Sequence, residues 1–260
     1  MAKITKIISV LMSLLASVEL TAQEKIDTDR PDQTESAATV PKNYFQAEFG
    51  FNKENTFYED YNLVHPTALL KYGLTRFEFR FEVNLHSSYE NLIPNPKWTH
   101  GFDPMEIGFK ANVFEEKKVL PKTSFIFHLG IPALSSKTFR SDHLAPSFRL
   151  VLQKNLTNFM GLGCNLGAEW DGFSSTPIWL YTFSPGFNIG EKWYAYIEAF
   201  GFIQKNELPQ HNIDGGIAYY ISDNVKIDVS SGFGVSKASP KNYLALGFSF
   251  RINTKQNQVN

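Results

Sequence analysis

A row of alternating charges, Arg76, Glu78, Arg80 and Glu82, occupies every second position of one short stretch. On one face of an extended strand such positions lie about 7 Å apart. The row can therefore pair opposite charges across a narrow cavity or set the charge preference of a pore. Glu48, Glu106, Lys110 and Arg149 fall on the same kind of face elsewhere and are candidates for the same lining, with Glu169, Glu198, Lys226 and Asp228 as further members of a charge network. A second group is the segment Asp29-Arg30-Pro31-Asp32-Gln33-Thr34-Glu35, in which acids and an amide flank one arginine. Fixed charges of this kind suit a small plug folded into the mouth of a cavity, with Arg30 pairing an inward carboxylate. They suit equally a cap that orients the strand to follow.

Other chemistry is poorly supported. Asp27, Asp29 and Asp32 hint at calcium, but the loop glycine and distal glutamate of an EF-hand are missing. The six histidines, at 65, 86, 100, 128, 143 and 211, lack metal-site spacing. His86, Ser87 and Ser88 bring a base beside hydroxyls, as a lipid acyl hydrolase would need, but adjacent strand residues point to opposite faces and no nucleophile elbow is present. The paired glycines Gly161/Gly163 and Gly232/Gly234 lie inside strand-like runs, where they serve close packing rather than a phosphate cradle. No catalytic residue, metal or cofactor is expected.

The elements that must position these charges are strands. From Arg76 to His86 the chain alternates without a break, with Phe77, Phe79, Phe81, Val83 and Leu85 on one face and charged or polar groups on the other. A helix would scatter those phenylalanines around its circumference; a strand keeps them on one side. The alternation recurs over 43–53, 104–114, 122–131, 159–170, 224–235 and 242–252, and less cleanly over 63–72, 145–153, 177–189, 193–204 and 212–221. This is an all-β chain of about 12 strands of about 10 residues, the length that crosses a bilayer at a tilt. Tight turns (73–75, 155–157, 190–192, 222–224) alternate with longer links such as Ser87 to Asp103 and Pro132 to His143. The sequence thus predicts a transmembrane antiparallel up-and-down β-barrel with its short turns on the periplasmic side. A soluble sandwich also alternates, but its strands average about 5 to 6 residues. Tyr44, Tyr72, Trp170, Trp179, Trp193, Tyr194 and Tyr243 fall near strand ends, as interfacial girdles require.

The N-terminus adds the route. Lys3 and Lys6 precede an apolar run from Ile7 to Val18, too short to span, which reads as a signal peptide cleaved after Ala22. The expected organisation is a signal peptide over 1–22, a periplasmic segment over 23–42, a barrel over 43–252 and a tail over 253–260. A formal net charge of −1 disfavours nucleic acid, and the single cysteine, Cys164, excludes an internal disulfide. The expected partners are outer-membrane lipid, a small solute and, from the aromatic final strand ending Phe248-Ser249-Phe250, the barrel-assembly machinery.

The run Thr28-Asp29-Arg30-Pro31-Asp32-Gln33-Thr34-Glu35-Ser36, followed by Val40-Pro41-Lys42-Asn43-Tyr44-Phe45, and the Lys71-Tyr72-Gly73-Leu74-Thr75 turn resemble outer-membrane barrels of Bacteroidetes grouped as transporters or under the meta-pathway of phenol degradation. The specific match covers the first quarter of the mature chain. The resemblance implies a porin-like role in the outer membrane of a Gram-negative bacterium. A lipid acyl hydrolase and a purely structural barrel are the alternatives.

Overall fold

The computed structural model describes residues 25–56, 60–91 and 95–255. The signal peptide and the end of the tail lie outside the described residues. Thirteen strands follow in chain order: β1 (Tyr44–Asn55), β2 (Tyr61–Gly73), β3 (Phe77–Tyr89), β4 (Trp98–Phe102), β5 (Met105–Phe114), β6 (Lys122–Ile131), β7 (Ala145–Asn155), β8 (Met160–Glu169), β9 (Ile178–Ile189), β10 (Trp193–Gln204), β11 (Gln210–Ser222), β12 (Val225–Gly234) and β13 (Asn242–Asn253). Apart from β4 and β5, which both pair with β3, each pairs antiparallel with its sequence neighbours, and β1 pairs with both β2 and β13. The sheet is closed.

The ring has twelve wall positions. β4 and β5 both pair with β3, at Leu85↔Phe102 and Glu82↔Glu106, so they are two pieces of one wall strand broken at Asp103-Pro104. This corrects the reading of Ser87 to Asp103 as loop throughout. Proline cannot donate to a ladder, and the break at Pro104 hides the short alternation of Trp98, His100 and Phe102 behind a turn-like composition. The link after β6 likewise holds two 3-10 turns, Pro132–Leu134 and Lys137–Phe139.

Burial is inverted relative to a water-soluble protein. Phe79 and Ile197 are each 60% exposed and Trp179 is 55% exposed, whereas Lys110 is 0%, Glu48 1% and Glu78 1% exposed. A phenylalanine left in water instead of hydrocarbon costs about 2 kcal/mol, and a belt of such residues around every wall strand is tolerable only against lipid. The polar face turns inward, where charges satisfy one another.

Of the aromatic residues expected in girdles, Tyr72, Trp170, Trp179 and Trp193 share the outward parity of their strands. Tyr44, Tyr194 and Tyr243 do not. Arg251 lies over the Tyr44 ring at 5.4 Å, Lys226 over Tyr194 at 5.9 Å, and the Tyr243 hydroxyl donates to inward Asp214. These three tyrosines serve the lumen because strand parity, rather than nearness to a strand end, decides which side a ring takes.

The outward face gives a first prediction. Leu246, half exposed near the middle of β13, faces the apolar side beside Val229 and Phe51. Leu246→Arg is expected to weaken insertion by about 2–4 kcal/mol, as for a cation near the bilayer midplane, in a folding titration into vesicles. Ala245→Ser, one residue away but facing the lumen, is expected to fold as the unaltered chain does.

Candidate functional site

The lumen is occupied by the chain itself. Residues 26–40 enter beside the β11–β12 turn, where the Ile26 amide donates to Asp223 O (2.7 Å). They cross the interior and return to β1 at Pro41. We call this segment the strap. Asp29 faces β1, β2, β3 and β5; residues 30–34 face β9, β10, β12 and β13; residues 35–40 face β3, β5, β6 and β7.

Asp29 is its central anchor. Oδ2 accepts from Lys71 Nζ (2.8 Å, β2) and Arg80 Nη1 (2.9 Å, β3); Oδ1 accepts from Lys110 Nζ (2.7 Å, β5) and from the Ser36 amide (3.1 Å). Burial alone would raise this carboxyl, but the three cations beside it hold it well below the usual carboxylate range. Glu35 accepts from Arg80 Nη2 (2.9 Å). The wall supplies Glu48, which accepts from the Asp29 and Arg30 amides and pairs with Lys71, and Glu78, which accepts from the Val40 amide (2.7 Å) and Arg80. Three wall cations thus face two wall carboxylates, and the strap brings the missing negative charge. Desolvated ions persist only with such complete pairing.

Arg30 holds the opposite wall. Its guanidinium donates to Asp228 Oδ1 (3.2 Å) and Leu246 O (3.1 Å), and Lys226 Nζ donates to Arg30 O (2.7 Å). Gly50 and Gly247 pair in register across β1 and β13, and a Cβ at either would overlap the Arg30 side chain. The two glycines form the notch that admits it. Gly163 plays the same part for Thr34. Thr34 Oγ1 also lies 2.6 Å from Thr182 Oγ1 and bonds Glu198, whose other oxygen accepts from the Gln33 amide (2.8 Å). Pro31 O accepts from the Tyr196 hydroxyl (3.2 Å), and Asp32 accepts from Ser184 Oγ (3.2 Å). Ala37 packs on inward Ile126 and Val151, a small apolar contact inside a polar cavity.

The row Arg76, Glu78, Arg80, Glu82 is therefore split by depth. Arg76 is exposed at the rim, outside β3, where it bonds Asn112 Oδ1 and Val113 O, so it is not part of the deep lining expected for the row. Glu78, Arg80, Glu48 and Lys110 lie under the strap. Glu82, Glu106 and Arg149 lie above it, half-buried. There His128 joins Arg80 Nε (2.8 Å) to Glu106 (3.2 Å), and Arg149 reaches Glu169 and Glu35 at 3.7 and 3.8 Å. Glu82, Glu106 and His128 are also near enough to share an ion, but both His128 nitrogens are already engaged by Arg80 and Glu106. Sequence parity placed these groups on the inner face; the strap's path, which divides them, depends on contacts up to 216 residues apart.

Beyond the strap lies an open vestibule of about 710 Å³ lined by Glu54, Glu169, Ile178, Phe202, Gln210 and Lys237 among others, while crevices of about 140 and 170 Å³ remain beside the strap. From the long-link end the lumen opens as a wide chamber that ends on the latched strap.

A family profile described as "Putative MetA-pathway of phenol degradation" matches residues 28–252. The fold is similar to that of an outer membrane channel from Pseudomonas putida F1, at a TM-score of 0.66 and 10% identity over 88% of this chain and 100% of that one. It is similar also to the NanC porin (0.52, 9%, 80% and 100%) and to the KdgM porin in complex with disordered oligogalacturonate (0.50, 10%, 79% and 98%). No curated protein matches in sequence.

Proposed function

Since the chain belongs to the family described as "Putative MetA-pathway of phenol degradation", we propose that it works as an outer-membrane channel, a porin-like passage for small solutes whose periplasmic half is closed by the strap. The observation that carries this reading is the inverted barrel: an apolar exterior around a polar lumen, with a vestibule at one end and a latched segment at the other. Tight turns and the start of β1 share the strap's end, which supports a periplasmic position for that end under the rule that short turns face the periplasm. The closed barrel and its engaged charges support transport rather than catalysis.

The vestibule's charge suggests what passes. Glu54, Glu169 and Glu207 line it against one cation, Lys237, and Glu82 and Glu106 lie half-buried above the strap. This favours cations or neutral polar solutes over anions. In planar bilayers Glu82→Gln/Glu106→Gln is expected to move the reversal potential in a salt gradient toward anion preference. Unchanged selectivity with unchanged conductance would leave these two carboxylates as filling. A barrel with no conductance under any condition would instead be structural.

A further inference from the structure

The outward face carries one polar cluster that the channel reading does not use. Ser87 Oγ lies 2.6 Å from His100 Nδ1 on β4 and 2.9 Å from His65 Nε2 on β2. Ser87 shares the outward parity of Leu85 and Tyr89 and pairs in register with Leu63 and His100. On β4, Trp98, His100 and Phe102 alternate as exposed residues. Immediately toward the strand ends, Tyr61, Tyr89 and Trp98 form an aromatic band of tilted rings, with centroids 6.2 and 5.3 Å apart, and Lys53 Nζ lies 5.3 Å from the Tyr61 ring. The cluster thus sits on the lipid side of the wall, just beneath a girdle.

Proton bookkeeping leaves this cluster unsatisfied. One hydroxyl proton serves only one of the two imidazoles. If His65 donates to Ser87 and Ser87 donates to His100, then His100 keeps a free Nε2–H. If the order is reversed, His65 keeps a free Nδ1–H. Either way one ring N–H has no acceptor in the cluster, and hydrocarbon offers none. Lys53 adds a cation; among the described residues it forms no ion pair, and neither do Lys97 beside Trp98 nor Lys137 and Arg140 in the following outer link. Unneutralised positive charge, a free imidazole donor and a girdle at headgroup height share one chemical complement, an anionic oxygen cluster.

We propose that Lys53, His65 and His100, held in place by Ser87, seat the phosphate of an anionic lipid in the outer leaflet. The phosphate accepts from the ammonium and from the free ring N–H, while the lipid's chains lie against Phe51 and Phe102. The site rests on the membrane orientation proposed above, but not on conduction.

The test is native mass spectrometry of the full-length barrel in detergent, offered lipid A or phosphatidylcholine. Lipid A is expected to stay bound to the unaltered protein. In Lys53→Gln/His65→Asn/His100→Asn its affinity is expected to fall about tenfold or more, as loss of charge-assisted hydrogen bonds requires. Inorganic phosphate competing with lipid A would support the headgroup as the recognised chemistry. Equal retention of lipid A by both proteins, or no preference over phosphatidylcholine, would overturn the site. So would covalent labelling of Ser87 by a fluorophosphonate, which would make that hydroxyl a nucleophile. Single-channel conductance of the triple variant is expected to match the unaltered barrel. A barrel that binds lipid A yet never conducts would sink the channel reading alone.

Discussion

Deletion of residues 26–40 is expected to raise single-channel conductance several-fold. The effect follows from space: the strap crosses the lumen, with crevices of about 140, 180 and 170 Å³ beside it. Its charges leave with it: Asp29 and Glu35 go from beside Lys71, Arg80 and Lys110, and Arg30 goes from beside Asp228. Cations are then bared on one wall and carboxylates on the other, so the gain is expected for anions and cations alike. Migration of the unboiled protein on a denaturing gel reports whether the shortened chain still closes. A closed barrel with unaltered conductance would mean that the strap does not govern passage. Gly247→Val offers an independent route, because it fills the Arg30 notch while leaving every charge in place.

Replacing Arg80 by Met is expected to have the largest effect on stability. Arg80 is 3% exposed and bonds Asp29, Glu35, Glu78 and His128. Its loss strands carboxylates away from bulk water, and breaking a buried ionic set from one side costs about 3–5 kcal/mol. The urea midpoint of vesicle-refolded protein reads this directly. Arg80→Lys keeps the charge but not the planar fork that serves several acceptors at once, so it is expected to fall between the two. An unchanged midpoint for Arg80→Met would show that water already solvates the site.

The strand pattern made much of this architecture readable. Where a strand has one lipid face and one lumen face, parity is written into every second residue, and the stretch from Arg76 to His86 fixes β3 to within three residues of its observed ends. β2 is less clean because its register shifts between Val64 and Thr67, so that His65 takes the outward side. β4 escaped because five residues carry too few alternations to rise above the surrounding Pro and Asn.

The site was legible in composition but not in depth. Even-numbered positions from 76 to 82 all read as lining, yet the rim holds Arg76, the strap covers Glu78 and Arg80, and Glu82 lines a crevice beside it. The strap itself carries no periodic signal. Its course is set by individual ion pairs and by glycine notches, and a glycine in a strand does not announce what approaches it. Ser87 shows the same limit. Adjacent His86 points away from it, as strand geometry demands, and its true neighbours come from other strands, 22 and 13 residues away.

The central claim is that the strap must leave its seat for solutes to pass. A cross-link tests it most directly. Thr34 and Thr182 approach within 2.6 Å at their hydroxyls, close enough for Thr34→Cys/Thr182→Cys to form a disulfide, while Cys164 pairs with Phe183 on the opposite, outward face. In planar bilayers the oxidised protein should pass little current, and reductant should restore openings of the unaltered size. Equal conductance in the locked, reduced and strap-deleted proteins would contradict the account.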